Sequence, residues 1–84
     1  MSELDAQTVQ RRFGARLRQL RENLGLSQEE SAHRAGLDRS YVGQVERGER
    51  NVSLLNIYRI AAGLEISPRD LFPEQDSAGS KNVS

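Results

Sequence analysis

Residues 26 to 51, LSQEESAHRAGLDRSYVGQVERGERN, hold two short helix signatures separated by one glycine. Ser27 can cap the free N–H groups of a helix start, and Glu30 three places on completes a capping box. Gln28 to Ala35 then reads as a helix of roughly two turns. Gly36 falls where a helix end favours a left-handed residue, Leu37 supplies a core plug, and Asp38 is the expected cap of a second helix, Arg39 to Arg47, closed by Gly48. Two helices joined through so tight a turn predict a helix-turn-helix unit that lays its second helix in the major groove of DNA.

On a wheel of 100° per residue with Arg39 at zero, Gly43, Arg47, Ser40 and Gln44 fall at about 40°, 80°, 100° and 140°. Val42 and Val45 lie opposite, at about 300° and 240°, with Tyr41 beside them near 200°. The second helix therefore has a core face and a polar face. Arginine is bidentate to guanine O6 and N7, glutamine to adenine N6 and N7, and serine pairs with either kind of group. Gly43 is expected to let the backbone approach the bases. Such side chains also populate ordinary solvated faces; the tight turn just ahead of them favours the reading role.

Composition bounds the rest. Eighty-four residues make one small domain, expected as a flexible lead-in over 1–7, a folded part over 8–73 and a disordered polar tail over 74–84. With no cysteine there is no thiolate metal site or disulfide frame, and His33 is alone. No metal, cofactor or small-molecule ligand is expected. No apolar run approaches the ~20 residues of a membrane span, and the first ten residues lack signal-peptide character, so a cytoplasmic protein without membrane contact is expected. Net charge is zero, unusual for a partner of phosphate, but residues 11–59 hold ten arginines against six acids. Paired carboxylates, an activated nucleophile and a phosphate-cradling glycine loop are all missing from the sequence, so an enzyme is not expected.

Upstream, Val9, Phe13, Leu17, Leu20 and Leu24 recur at helical spacing and predict a helix from about Thr8 to Leu24. Its basic flanks also fit a membrane-surface helix, but Glu22 interrupts them and the helices that follow need an apolar partner. Downstream, Ser53 caps a fourth helix whose Leu54, Ile57, Ile60, Ala61 and Leu64 face one way, while Leu55, Tyr58 and Ala62 form a second apolar edge. Ser67, Pro68 and Asp70 predict a brief fifth helix ending at Phe72 and Pro73. The expected fold is all-α, a five-helix bundle with the helix-turn-helix at its second and third helices.

Three stretches, LRQLRENLGLSQEE, AHRAGLDRSYV and VERGERNVSLLNIYRIAAGL, in this order and spacing, resemble the phage-repressor-like (lambda-repressor-like) helix-turn-helix domain of the Xre and Cro type, over residues 13–72. LDRSYVGQVERGERNVSL is most similar to the small controller proteins of restriction-modification systems. The resemblance implies a homodimeric transcription regulator that binds double-stranded DNA at an inverted-repeat operator, with RNA polymerase a further candidate partner. It places Arg39, Ser40 and Gln44 at base-reading positions, Arg39 and Gln44 foremost. Gln28, Tyr41, Arg47, Arg50 and Asn51, with Gly43, fall at backbone or groove-flanking positions, and Arg21 with Glu46 at a structural ion pair. Leu55, Tyr58, Ile66, Leu71 and Phe72 are the candidate dimer contacts. Ser31, Gly63 and Glu65 depart from the family's usual residues, which predicts weaker packing of the second helix and a looser end to the fourth. The alternative is an antitoxin or adaptor that uses the same fold to hold a protein partner.

Overall fold

The computed structural model describes residues 5–73, and the expected tail over 74–84 lies outside them. Four α-helices follow one another: α1 (Ala6–Asn23), α2 (Gln28–Ala35), α3 (Arg39–Glu46) and α4 (Leu54–Leu64). The segment expected as a fifth helix is instead a four-residue 3-10 turn, Pro68–Leu71. Four residues are too few for a ladder of i to i−4 bonds, so the segment closes on shorter ones, Asp70 N–H to the Ser67 carbonyl at 2.9 Å and Phe72 N–H to that of Arg69 at 3.2 Å. Ser67 and Asp70 cap it reciprocally, and Arg16 of α1 donates from Nε to the Asp70 carbonyl at 2.8 Å.

α1 starts two residues ahead of the expected Thr8. Asp5 is its cap: Oδ1 accepts from the Thr8 N–H at 2.8 Å and Oδ2 from the Thr8 hydroxyl at 3.1 Å, and these bonds hold its carboxyl below the usual carboxylate range. Of the apolar stripe on α1, Phe13 and Leu17 are buried while Val9 and Leu24 are about half exposed, because the helix overhangs the core at both ends.

The Ser27–Glu30 capping box forms, Gly36 is left-handed at φ 72°, and the Leu37 N–H closes the turn on the Ala32 carbonyl at 2.8 Å. Asp38 precedes α3 in extended conformation, but its side chain makes no cap bond, so α3 starts without the expected carboxylate cap. α3 ends at Glu46, one residue earlier than expected, with Arg47 as its C-cap.

Phe13 and Leu17 of α1, Ala32 and Ala35 of α2, Val42 and Val45 of α3, and Ile60 and Leu64 of α4 meet in one core, closed below by Leu71. Leu54, expected on the core side of α4, is 70% exposed: as the first residue of its helix it projects past the packed layer.

Small residues set the helix spacing. A Cβ on Gly63 would lie 2.9 Å from the Ala35 nitrogen and 3.1 Å from its Cα, so α4 runs directly against the end of α2. The expected loosening at this position is reversed; glycine permits a closer contact than alanine would. Gly14 serves likewise between α1 and α3, where an added Cβ would run into the backbone carbonyls of Val45 and Glu46. Ser31 is buried and its hydroxyl finds no partner, a desolvation cost of roughly 1 to 3 kcal/mol that a leucine or valine would not incur. Glu65 ends α4 at φ 60° and ψ 43°, alone among the described non-glycine residues in having a positive φ.

Candidate nucleic-acid interface

The polar face of α3 is held from behind by a chain of groups of alternating polarity. It begins at Arg21 on α1, which donates from Nε to Glu46 Oε2 at 2.6 Å and from Nη2 to Oε1 at 3.0 Å, while Nη1 donates to the Leu26 carbonyl at 2.8 Å. The Glu46 side chain is 3% exposed. Hydrogen bonding to it raises the Arg21 guanidinium above the usual arginine value. Glu46 Oε1 also accepts from Gln28 Nε2 at 3.0 Å. A carboxylate offers only acceptors, so the Gln28 amide must turn its nitrogen this way and its oxygen the other. There Oε1 accepts from Arg39 Nη1 at 3.4 Å, a long bond to an exposed arginine.

A second chain supports Gln44. Asn56 of α4 donates from Nδ2 to the Tyr41 hydroxyl at 3.1 Å, and the half-buried Tyr41 ring carries the Arg50 guanidinium 5.1 Å from its centroid. Arg50 in turn donates from Nε to Gln44 Oε1 at 2.9 Å. Arg39 and Ser40 are exposed and Gln44 is partly so, which leaves all three accessible on one side of α3.

Arg47 caps the end of α3 and Arg50 follows in the loop, and between them Gly48 packs against the backbone and Cγ of Arg11 on α1. Arg47 pairs with Glu49 through bonds of 3.0 and 3.3 Å, which pull the Glu49 carboxyl below its usual range. Both side chains of that pair are more than half exposed, so water and salt screen it and a phosphate can replace the carboxylate. Asn51 is exposed in the loop that follows.

Gly43 is buried rather than open to a groove. A Cβ there would meet Arg47 Nη1 at 3.3 Å and the Gln28 amide at an ordinary contact distance of 3.5 Å, so these two side chains lie over Gly43.

The candidate dimer residues divide. Leu55, Tyr58 and Phe72 are 59%, 57% and 51% exposed, and Phe72 also sets its ring edge-on to Phe13 with centroids 6.1 Å apart. Ile66 is partly buried. Leu71 is 0% exposed and belongs to the core: the tight 3-10 turn points it inward, so it cannot touch a second subunit. Leu54, which the helical wheel assigned to the core, lies exposed at the start of α4 beside Leu55. Sequence reading also missed the buttressing of Arg39 by Gln28 and of Gln44 by Arg50. These partners sit on different segments, and helical periodicity carries no signal for them.

Among the described residues no group of three or more His, Cys, Asp and Glu could hold a metal ion, and no helix is long and apolar enough to cross a membrane.

Known proteins share this fold. Residues 17–71 match the helix-turn-helix family HTH_3. The chain is 48% identical over 64 residues to the control protein C.MunI of Mycoplasma sp, covering 75% of this chain and 86% of that one. It is 45% identical over 60 residues to the control protein C.BamHI of Bacillus amyloliquefaciens, covering 70% and 74%. Among solved structures, the restriction-modification controller protein C.AhdI from Aeromonas hydrophila superposes with a TM-score of 0.73 at 63% identity, over 74% of this chain and 94% of that one.

Proposed function

This chain belongs to the HTH_3 helix-turn-helix family, and on that premise we propose that it is a sequence-specific, double-stranded-DNA-binding transcription regulator of the restriction-modification controller type. One observation carries the reading: α3 offers Arg39 and Gln44 to solvent on one side while Gln28 and Arg50 hold them from behind. Groups so held enter a major groove with less side-chain entropy to lose than free ones. The likeness to C.MunI, C.BamHI and C.AhdI supports the controller assignment.

One such helix reads only a few base pairs, whereas specific binding must exceed non-specific binding by ~10³ to 10⁷. The protein therefore acts as a homodimer. Leu55, Tyr58, Phe72 and Leu54 form its apolar contact surface, and Ile66 lies at the margin. The two α3 helices then enter successive major grooves about 34 Å apart, on an inverted repeat. Bound beside a promoter in the cytoplasm, the dimer blocks or recruits RNA polymerase.

Selection of bound sites from random duplex DNA tests this. The expected product is a palindrome with half-sites about one helical turn apart. Failure to enrich any sequence, or enrichment of a single asymmetric half-site, would overturn it.

A further inference from the structure

Gln44 is an ambiguous reader on sequence grounds, since a carboxamide offers both a donor and an acceptor and pairs best with the edge of adenine, which shows both. The structure removes the ambiguity. Arg50 donates from Nε to Gln44 at 2.9 Å, and arginine has no acceptor to offer, so the Gln44 atom that faces it must be the oxygen. The amide nitrogen, with two N–H donors, is then the end left for a ligand. The Oε1 atom keeps one more lone pair, but it lies against a guanidinium charge that draws acceptors and repels donors.

Arg50 is itself fixed: its guanidinium lies 5.1 Å from the Tyr41 ring centroid, and Asn56 of α4 holds the Tyr41 hydroxyl at 3.1 Å. Rotation of the Gln44 amide would set its N–H groups against those of Arg50, so the orientation persists as DNA approaches. The edge that Gln44 and Arg50 present together consists of donors. In the major groove guanine shows two acceptors, N7 and O6, while adenine shows one acceptor and a donor, N6–H, that must find an acceptor here.

We infer that Arg50 is a specificity-determining positioning residue that orients Gln44 as a donor, so that Gln44 selects guanine rather than adenine at its base pair. The inference rests on the DNA-reading role proposed above and adds to it which base is read, and why.

Site selection from random duplexes with the wild-type chain and its Gln44→Ala, Arg50→Met and Arg50→Lys variants tests it. The column that flattens in Gln44→Ala identifies the base pair that Gln44 reads. In the wild type, guanine should exceed adenine there by at least about fivefold, the lower end for one good pair. Arg50→Met frees the amide, so adenine should rise to parity or above while the other columns persist. Arg50→Lys keeps a charged donor with no acceptor, so it should hold the Gln44 oxygen and retain more guanine in that column than Arg50→Met does. Arg50 is exposed, and a thermal melt of each variant verifies folding.

Adenine in the wild-type column would overturn the inference alone, as would guanine retained undiminished in Arg50→Met, or no column flattened by Gln44→Ala. So would a uniform loss across all columns in both Arg50 variants, which would mark Arg50 as a phosphate contact only. Failure of the wild-type chain to enrich any sequence would instead overturn the DNA-reading role itself.

Discussion

Arg21 and Glu46 are joined by two hydrogen bonds, of 2.6 and 3.0 Å, that tie the end of α1 to the end of α3. The pair is nearly closed to water, so replacing one member strands the other as an uncompensated charge. Arg21→Met should lower stability by roughly 3 to 5 kcal/mol in urea unfolding. Changing both residues to apolar ones should recover much of that loss, since a pair removed whole leaves no buried charge. Equal losses in the single and double variants would place the cost in packing.

Gly63 and Gly14 should both resist replacement by alanine. On an exposed helix that change adds up to about 1 kcal/mol. Here a methyl group would press on the backbone of Ala35 in one case and on the carbonyls of Val45 and Glu46 in the other, so each variant should lose about 1 to 3 kcal/mol. The sign of the change in denaturation midpoint decides the matter.

Glu65 should accept glycine with profit. Its left-handed backbone costs an L-residue roughly 1 to 2 kcal/mol, and the greater freedom of an unfolded glycine returns only part of that. Glu65→Gly should raise the thermal midpoint by a few degrees.

Asp5 makes the start of α1 sensitive to acid. Its folded carboxyl titrates below the ordinary carboxylate range because the Thr8 N–H bonds its charged form. The stability it contributes is therefore complete above that range and is lost as pH falls through the lowered folded value. Asp5→Asn, which still caps but does not ionise, should remove this step from an acid titration of helical circular dichroism.

Much of this was legible in the sequence because the signals were local. Ser27, Glu30 and Gly36 bound α2 through hydrogen bonds no more than a few residues long, and the wheel of α3 separated Val42 and Val45 from Arg39 and Ser40. What escaped depended on contacts between elements. Leu54 and Leu71 share an apolar character, yet one projects past the core and the other closes it, which periodicity in short segments cannot decide. Gly63 was read for what its own helix does, whereas the neighbouring helix dictates it, and Gly43 was read as open to bases though side chains cover it. The links from Gln28 to Arg39 and from Arg50 to Gln44 arise only when the turn folds.

On the proposed role, α3 reads bases above all through the side chain at 39. The decisive experiment compares the affinity of the wild type and Arg39→Ala for the selected operator and for a random duplex at one salt concentration. Arg39→Ala should lose ~1 to 3 kcal/mol on the operator and change little on random DNA. Equal losses on both would contradict that role.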